Sequence, residues 1–505
     1  MDLSFRAKVG ENSGCGILLF RSVSEFRVQV GSDCSAMDQP NSRQSGSQRR
    51  LVQRGFWQQI TPPQLFVASF ALLILSGVLG FRLLPGLFHG ERLGWVDSLF
   101  MATSAVCVTG LSVITTADRL TFAGELFLLL LVQLGALGIL TFTSLIIAAF
   151  GRRLSLRQES LVIVRTESAP HLSPRELTRS IVRYTIISEF CGAVLLYAFW
   201  GPLLGWREAV WPSIFHAVSA FCNAGFSTFS DSLFDFRQDP SILLTISALI
   251  IAGGLGFLTH HELLRKFRAV RSRTAFRMSL QTRIVLVTTL LLLFAGWGLL
   301  TVLEWDSTLD ELSLTDRLVN GLFMSVTART AGFHSIHYGE AADSSVLVTM
   351  LLMSIGGSPG STAGGLKTTT FALILMVAWS RLRGNEHTTA WYRTIPEQTA
   401  SRAVGLFTAG IAVAFVGMLL LTISESAGGG SGASLRDCIF EAVSALNTVG
   451  LSTGMTQELS DTGRLITVLL MFLGRVGMLT LAAALTVRRL GGEGFRYANE
   501  DVVVG

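Results

Sequence analysis

One short motif returns four times along this chain, each time inside a stretch too apolar to lie in water. Thr103-Ser-Ala-Val-Cys-Val-Thr-Gly-Leu-Ser-Val113, Ser219-Ala-Phe-Cys-Asn-Ala-Gly-Phe-Ser-Thr228, Val326-Thr-Ala-Arg-Thr-Ala-Gly-Phe-His-Ser335 and Ser444-Ala-Leu-Asn-Thr-Val-Gly-Leu-Ser-Thr453 all carry Gly, then Leu or Phe, then Ser or His. Their glycines, Gly110, Gly225, Gly332 and Gly450, stand 115, 107 and 118 residues apart. A motif recurring at a near-constant long period marks one structural unit repeated along the chain.

The hydropathy pattern agrees. Each unit reads as a long apolar run, a short mixed segment, the glycine loop and a second long apolar run. These occupy 63–88, 95–105, 106–113 and 122–150 in unit one, and 181–204, 209–220, 221–228 and 241–264 in unit two. In unit three they are 282–305, 314–327, 328–336 and 346–379, and in unit four 403–424, 435–445, 446–453 and 465–487. The long runs exceed the roughly 20 residues a helix needs to cross the hydrocarbon core, and the mixed segments are too short to do so. Half of the residues are apolar and only 15% are charged, as lipid-facing segments require. The pattern predicts an all-α membrane protein of four M1–P-loop–M2 repeats around a pseudo-fourfold pore, with eight transmembrane helices and four re-entrant pore helices. The repeats span 61–150, 178–268, 279–383 and 400–490, between a mostly disordered tail at 1–60 and a short tail at 491–505. The six cysteines form no CxxC pair, so neither a disulfide framework nor a zinc site is indicated.

Charge sets the expected orientation. Arg152, Arg153, Arg157, Arg165, Arg175 and Arg179 lie between units one and two, and Arg265, Lys266, Arg268, Arg271, Arg273, Arg277 and Arg283 between two and three. Arg381, Arg383, Arg393 and Arg402 follow unit three, and Arg488, Arg489 and Arg496 close the chain. The positive-inside rule places all of these, and both termini, on the cytoplasmic side of the cell membrane. Most acids, such as Asp118, Asp231, Asp235, Asp239, Asp310 and Asp437, fall within units and gather cations at an external mouth. Topology bias explains the basic loops, and nucleic acid is not an expected partner.

Irregular backbone at membrane depth survives only where protein buries it or it lines a water-filled cavity. Four glycine loops around one axis meet that demand by turning carbonyls toward a cation that has lost its water. The loops carry no acid before the glycine, which favours a weakly hydrated monovalent ion, potassium, over calcium. Arg329, three residues before Gly332, is expected to point away and pair with an acid. Val326 stands where the other loops have Ser104, Ser219 and Ser444, so strict fourfold equivalence is excluded.

The second span of unit three holds Leu351-Leu-Met-Ser-Ile-Gly-Gly-Ser-Pro-Gly-Ser-Thr-Ala-Gly-Gly-Leu-Lys-Thr-Thr-Thr-Phe371, whose glycines and Pro359 break any helix. Residues 356–365 read as a flexible gate beneath the filter. Lys367 and Arg475, charges within spans, belong to the inner pore, with Arg475 facing this loop. A phosphate-binding reading of 360–368 fails because Leu366 separates Gly365 from Lys367 and no strand precedes it. With no catalytic constellation in view, the chain is not read as an enzyme.

At these residues the chain resembles the Trk/Ktr/HKT superfamily of cation transporters, and most closely its KtrB-type membrane subunit. The specific pieces are Ser219-Ala-Phe-Cys-Asn-Ala-Gly-Phe226, Thr327-Ala-Arg-Thr-Ala-Gly-Phe333, Ile355-Gly-Gly-Ser-Pro-Gly-Ser-Thr-Ala-Gly-Gly-Leu-Lys367 and Gly474-Arg-Val-Gly477. The resemblance implies a selectivity filter for K+ built from the carbonyls of Val108, Thr109, Gly110, Asn223, Ala224, Gly225, Thr330, Ala331, Gly332, Thr448, Val449 and Gly450. It implies a gate formed by Gly356, Gly357, Ser358, Pro359, Gly360, Gly364, Gly365 and Lys367, with Arg475 part of the barrier. It further implies a homodimer working with a cytosolic nucleotide-binding ring of KtrA or TrkA type. The expected function is passive or Na+-stimulated potassium uptake through a gated pore, driven by the membrane potential. The alternative is an ion-coupled potassium symporter with alternating access. Against the pattern, Val113 stands where the other loops have Thr228, Ser335 and Thr453, and the tail 1–60 has no counterpart.

Overall fold

The computed structural model of this chain describes residues 62–138, 174–427 and 434–477. The tails at 1–60 and 491–505, Arg152, Arg153, Arg157, Arg165, Arg488, Arg489 and Arg496, and the ends of the first and fourth repeats lie outside the described residues.

Each unit opens with a long leading helix: Pro62–Leu83, Pro174–Leu204, Leu280–Leu303 and Glu397–Ala427. Stretches of 20 to 30 residues within these four are long and apolar enough to cross a membrane. Their bare surfaces are apolar, with Leu72, Phe190, Leu291 and Phe415 all exposed. Such a continuous apolar exterior makes sense against lipid and not against water.

A short helix follows in each unit: Trp95–Val106, Val210–Cys222, Leu314–Thr327 and Leu435–Leu446. At 1.5 Å per residue these reach only about 20 Å, well under the hydrocarbon thickness. Two begin at serine caps, where Ser313 Oγ accepts from Asp316 N–H and Ser434 Oγ from Asp437 N–H. Each helix ends beside its glycine loop.

The trailing helix of unit two departs from the expected continuous crossing, and that of unit three is broken as its sequence predicts. Among the described residues, four helices are long and apolar enough to span, or five when one bent pair is joined. In unit two, Pro240–Gly254 turns by 102° into Phe257–Arg271 rather than continuing as one rod. The cause is Gly256, at φ 82° and ψ 142°, a conformation essentially closed to residues with a Cβ. In unit three, Asp343–Ser354 and Thr368–Leu382 are separated by 355–367. Unit one supplies Phe122–Gly138, and unit four Asp461–Val476, which stops at Gly477 with φ 81° and ψ 138°, matching Gly256.

The units pack in sequence. The trailing helices of units two, three and four lie on the short helices of units three, four and one. Trailing helix one meets short helix two through Trp211 Nε1, which donates to Glu125 Oε2 at 2.6 Å, and Cys222 Sγ, which donates to Gln133 Oε1 at 3.1 Å. One buried cluster accordingly joins Phe100 and Leu128 to Phe215 and to Leu470 and Met471, and another joins Met324 and Met353 to Phe440. Between units three and four, Thr389–Ala390 and Arg393–Thr394 form a two-residue hairpin. The four described cysteines, Cys107, Cys191, Cys222 and Cys438, are free.

Candidate functional site

The chain brings the four glycine loops together. A Cβ placed on Gly110 would stand 2.4 Å from the Ala224 carbonyl oxygen, and one on Gly225 would stand 2.8 Å from that of Ala331. On Gly332 it would meet the Val449 oxygen at 2.6 Å, and on Gly450 the Thr109 oxygen at 2.1 Å. Each glycine thus leans on the carbonyl preceding the next unit's glycine, and the fourth returns to the first. All four have φ between 70° and 97°. Side chains here are excluded by both space and conformation.

Two residues before each glycine the backbone is again left-handed, at Val108 (φ 56°), Asn223 (φ 59°), Thr330 (φ 69°) and Thr448 (φ 50°). Three of these are β-branched, for which such angles are genuine outliers that cost roughly 1–3 kcal/mol each. The residues between, Thr109, Ala224, Ala331 and Val449, have ordinary negative φ. In a strand, successive carbonyls point to opposite sides. Alternating the hand of the backbone instead turns them to one side.

The amides of these loops are spent on the short helices: Thr109, Ala224 and Val449 N–H donate to Ser104, Ser219 and Ser444 carbonyls, each at 2.8 Å. Gly110 N–H donates to Ser104 Oγ at 3.2 Å and Gly450 N–H to Ser444 Oγ at 3.1 Å. Unit three shifts the device by one residue. Thr327 Oγ1 donates to the Phe333 carbonyl at 2.6 Å, where unit two uses Ser219 Oγ on Phe226 at 2.8 Å. Val326, the odd residue of the sequence pattern, is simply packed in the core.

The carbonyls are left over. No donor among the described residues reaches the oxygens of residues 108–110, 223–225, 330–332 or 448–450. Yet every non-glycine residue in these triplets is at most 1% exposed. Buried carbonyls are normally paired. Four negative helix ends, each equivalent to about half a charge, add to their potential. The arrangement suits a desolvated cation.

The break at 355–367 lies against this ring. Gly356 N–H donates to the Leu366 carbonyl at 2.8 Å and Thr368 N–H to Gly357 at 3.1 Å, closing the loop on itself. Ser358 and Thr362 N–H donate to the carbonyls of Gly254 and Gly253, and Phe257 N–H to that of Gly360, so the unit-two bend and this loop hold one another. A Cβ on Gly364 would lie 1.9 Å from Thr448 Oγ1. Arg475, 2% exposed, donates through Nη1 to the Thr362 carbonyl at 2.5 Å, and its Nε and Nη2 have no partner among the described residues. Lys367 Nζ donates to Ala363 O at 2.7 Å. Arg329 departs from expectation: its Nη2 reaches the Gly356 carbonyl at 3.4 Å and no acid. Burial among apolar neighbours leaves a carbonyl of the loop as the available partner.

Sequence reasoning missed a second recurrent glycine. Gly135, Gly253 and Gly474 lie 25, 28 and 24 residues after their loop glycines. A Cβ on each would fall within 2.0 Å of the Val106, Phe221 or Leu446 carbonyl of its own short helix. That shared spacing was the available signal.

At the starts of the short and trailing helices, Arg464 Nη1 donates to Asp97 Oδ1 at 2.6 Å and Arg436 Nη1 to Asp343 Oδ1 at 2.8 Å. Asp231 accepts from His334 Nε2 at 3.1 Å, and this bond is the main reason its carboxyl is held below the usual carboxylate range.

Comparison with known proteins gives a consistent result. The family model described as cation transport protein, TrkH, matches residues 68–489. The potassium/sodium uptake protein NtpJ of Enterococcus hirae is 36% identical over 90% of this chain and 100% of its own length. The Ktr system potassium uptake protein B of Vibrio alginolyticus is 36% identical over 83% of this chain and 90% of its own, and that of Bacillus subtilis 34% over 89% and 98%. The crystal structure of the potassium transporter TrkH from Vibrio parahaemolyticus superposes with a TM-score of 0.66, at 21% identity and 84% of each chain, and shares the fold.

Proposed function

This chain belongs to the TrkH family of cation transport proteins, and on that premise we propose that it is the membrane subunit of a Ktr/Trk-type potassium uptake system. In this reading four M1–P-loop–M2 repeats surround a pseudo-fourfold pore, crossed by eight membrane passages counted with their breaks. The carbonyls of 108–110, 223–225, 330–332 and 448–450 replace the hydration shell of K+. The observation that carries the proposal is the cyclic succession of glycine contacts around twelve carbonyls that no donor among the described residues reaches. The names of the relatives, potassium uptake and potassium/sodium uptake proteins, support K+ as cargo and Na+ as a second ion.

Residues 356–365 act as the gate, with Arg475 bound to Thr362 as its positive latch and Lys367 bracing the far end. Arg329 ties the third filter loop to the same segment. The membrane potential drives uptake, supplying about 2.3 kcal/mol per charge per 100 mV. Both termini and the basic linkers are cytoplasmic.

The homodimer and the nucleotide-binding ring implied by the resemblance also belong to this reading. Helix Phe257–Arg271 supports it, since it leaves Leu264, Phe267 and Val270 exposed beside Arg265, Lys266, Arg268 and Arg271, a mixed face suited to a protein partner.

The test is rubidium uptake by proteoliposomes holding the purified chain under an imposed potential, with sodium present or absent. Saturable uptake that competes with potassium supports the pore. Absence of uptake overturns it, and strict stoichiometric dependence on sodium replaces it with a symporter.

A further inference from the structure

Three side chains with metal-ligating atoms meet away from the glycine ring, where the segment after the second loop touches the segment after the third. They are Asp231, His334 and His337, with one ligand atom of each within 4.8 Å of the others. His334 Nε2 lies 3.1 Å from Asp231 Oδ1, and His337 Nε2 lies 3.4 Å from Oδ2. We propose that Asp231, His334 and His337 form a binding site for a divalent transition-metal ion, zinc being the type ion, and that its occupancy lowers cation flux through the mouth.

The geometry fits without rearranging the backbone. Zinc bonds to imidazole nitrogen and carboxylate oxygen at about 2.0–2.2 Å, which puts neighbouring ligands of a tetrahedron about 3.3–3.5 Å apart. The two nitrogen-to-oxygen gaps, one to each carboxylate oxygen, already stand near that separation, and the three ligand atoms lie within 4.8 Å of one another, so side-chain rotations bring them around one centre. On binding, the metal takes the Nε2 position now facing the carboxylate, and a neutral imidazole then carries its single proton on Nδ1. Three protein ligands leave a fourth position to water.

The donor set also discriminates. Two imidazole nitrogens suit zinc and its neighbours in the transition series, whereas magnesium and calcium want oxygen ligands. Potassium has no reason to stop here.

The frame is held independently of any ion. Leu233 N–H donates to the His334 carbonyl at 3.0 Å, and His334 N–H donates to Ser232 Oγ at 3.2 Å. The His337 ring stacks on Phe234 with centroids 4.3 Å apart. The guanidinium of Arg237, which lies over Phe234, is ion-paired with Glu311 at 3.0 Å, so its charge is already answered. All three ligands are partly exposed, at 31–40% of their side-chain surface, which gives an ion a path from solvent.

His334 is two residues beyond Gly332, and Asp231 six beyond Gly225. A metal there joins the ends of two pore loops and replaces a cation-attracting carboxylate by net positive charge, which repels incoming cations. The effect on flux rests on the pore reading of the previous section; the binding does not.

The experiment uses the untagged full-length protein. Calorimetric titration with zinc in detergent is expected to show one ion per chain. Affinity should fall by about tenfold or more in His337→Ala and in Asp231→Asn, which keeps hydrogen bonds to both imidazoles but loses the anionic ligand. In proteoliposomes, external zinc should slow rubidium uptake by the native protein and leave His334→Ala/His337→Ala at its own zinc-free rate. Equal zinc binding by native and variant proteins overturns the site. Ligand-dependent binding with no loss of native flux overturns the inhibitory role. Should the native protein take up no rubidium at all, the transport reading fails while calorimetry still decides the metal site.

Discussion

Two stretches of irregular backbone lie side by side in this molecule, and they treat their carbonyls oppositely. In 355–367 most of the loop's carbonyls find partners: its own residues, the unit-two bend, Arg329, Lys367 and Arg475. In the four glycine loops most of the amides are bonded, while no donor among the described residues reaches the carbonyls of the twelve filter residues. The first is a satisfied structure that can open only by exchanging those bonds for others. The second is complete only when something else supplies positive charge. The proposed gate and the proposed ion site differ in just this way.

The sharpest way to break the comparison is to put a side chain into the ring. Gly225→Asp or Gly332→Asp should abolish rubidium uptake, with protein yield little changed, because an anionic side chain enters space now filled by the next loop's backbone. Gly450→Ala should also cut uptake, on the order of 100-fold, since it combines a forbidden φ with a contact of 2.1 Å to Thr109. Normal flux in any of these would remove the filter from those residues.

Changes in the satisfied loop should act in the other direction. Arg475→Ala, or deletion of 356–365, is expected to raise leak in the closed state several-fold, measured as rubidium efflux without a regulator. Lower flux at equal expression would contradict the gating role. Lys367→Met, which removes the bonds to Ala363 and Gly364, should raise leak by about fivefold at most, as a hydrogen bond of about 1 kcal/mol allows.

The smallest expected effect separates strain with a purpose from strain without one. The hairpin tip Trp391-Tyr392 holds both residues at positive φ, 46° and 61°. Replacing the pair by Asn-Gly, the residues such a turn favours, should raise thermal stability by about 1 kcal/mol and leave ion selectivity alone. Thr448→Gly relieves similar strain in the filter, and there the ratio of potassium to sodium uptake should fall.

Much of this was legible in the residues because it depends on composition and period. Four copies of one motif, flanked by long apolar runs, marked where the four long leading helices lie. The break in unit three announced itself through Pro359 and clustered glycine. The bend in unit two did not, since Gly253, Gly254 and Gly256 sit in a run whose hydropathy is that of any spanning helix. A single glycine at positive φ turns it, and hydropathy carries no dihedral information. Arg329 was misassigned to an acid for a related reason: sequence shows that a buried charge needs a partner but not that a distant loop offers a carbonyl. The Asp231 and histidine cluster joins residues 231 and 334, and separation of that length hides it entirely.

The central claim is that the unpaired carbonyls of the four loops are ligands for an alkali ion. Anomalous diffraction from crystals grown in rubidium tests it most directly. The account predicts a peak enclosed by the carbonyls of 108–110, 223–225, 330–332 and 448–450. A protein shown to transport rubidium whose ring holds no such peak, or whose ion sits elsewhere along the chain, would contradict it.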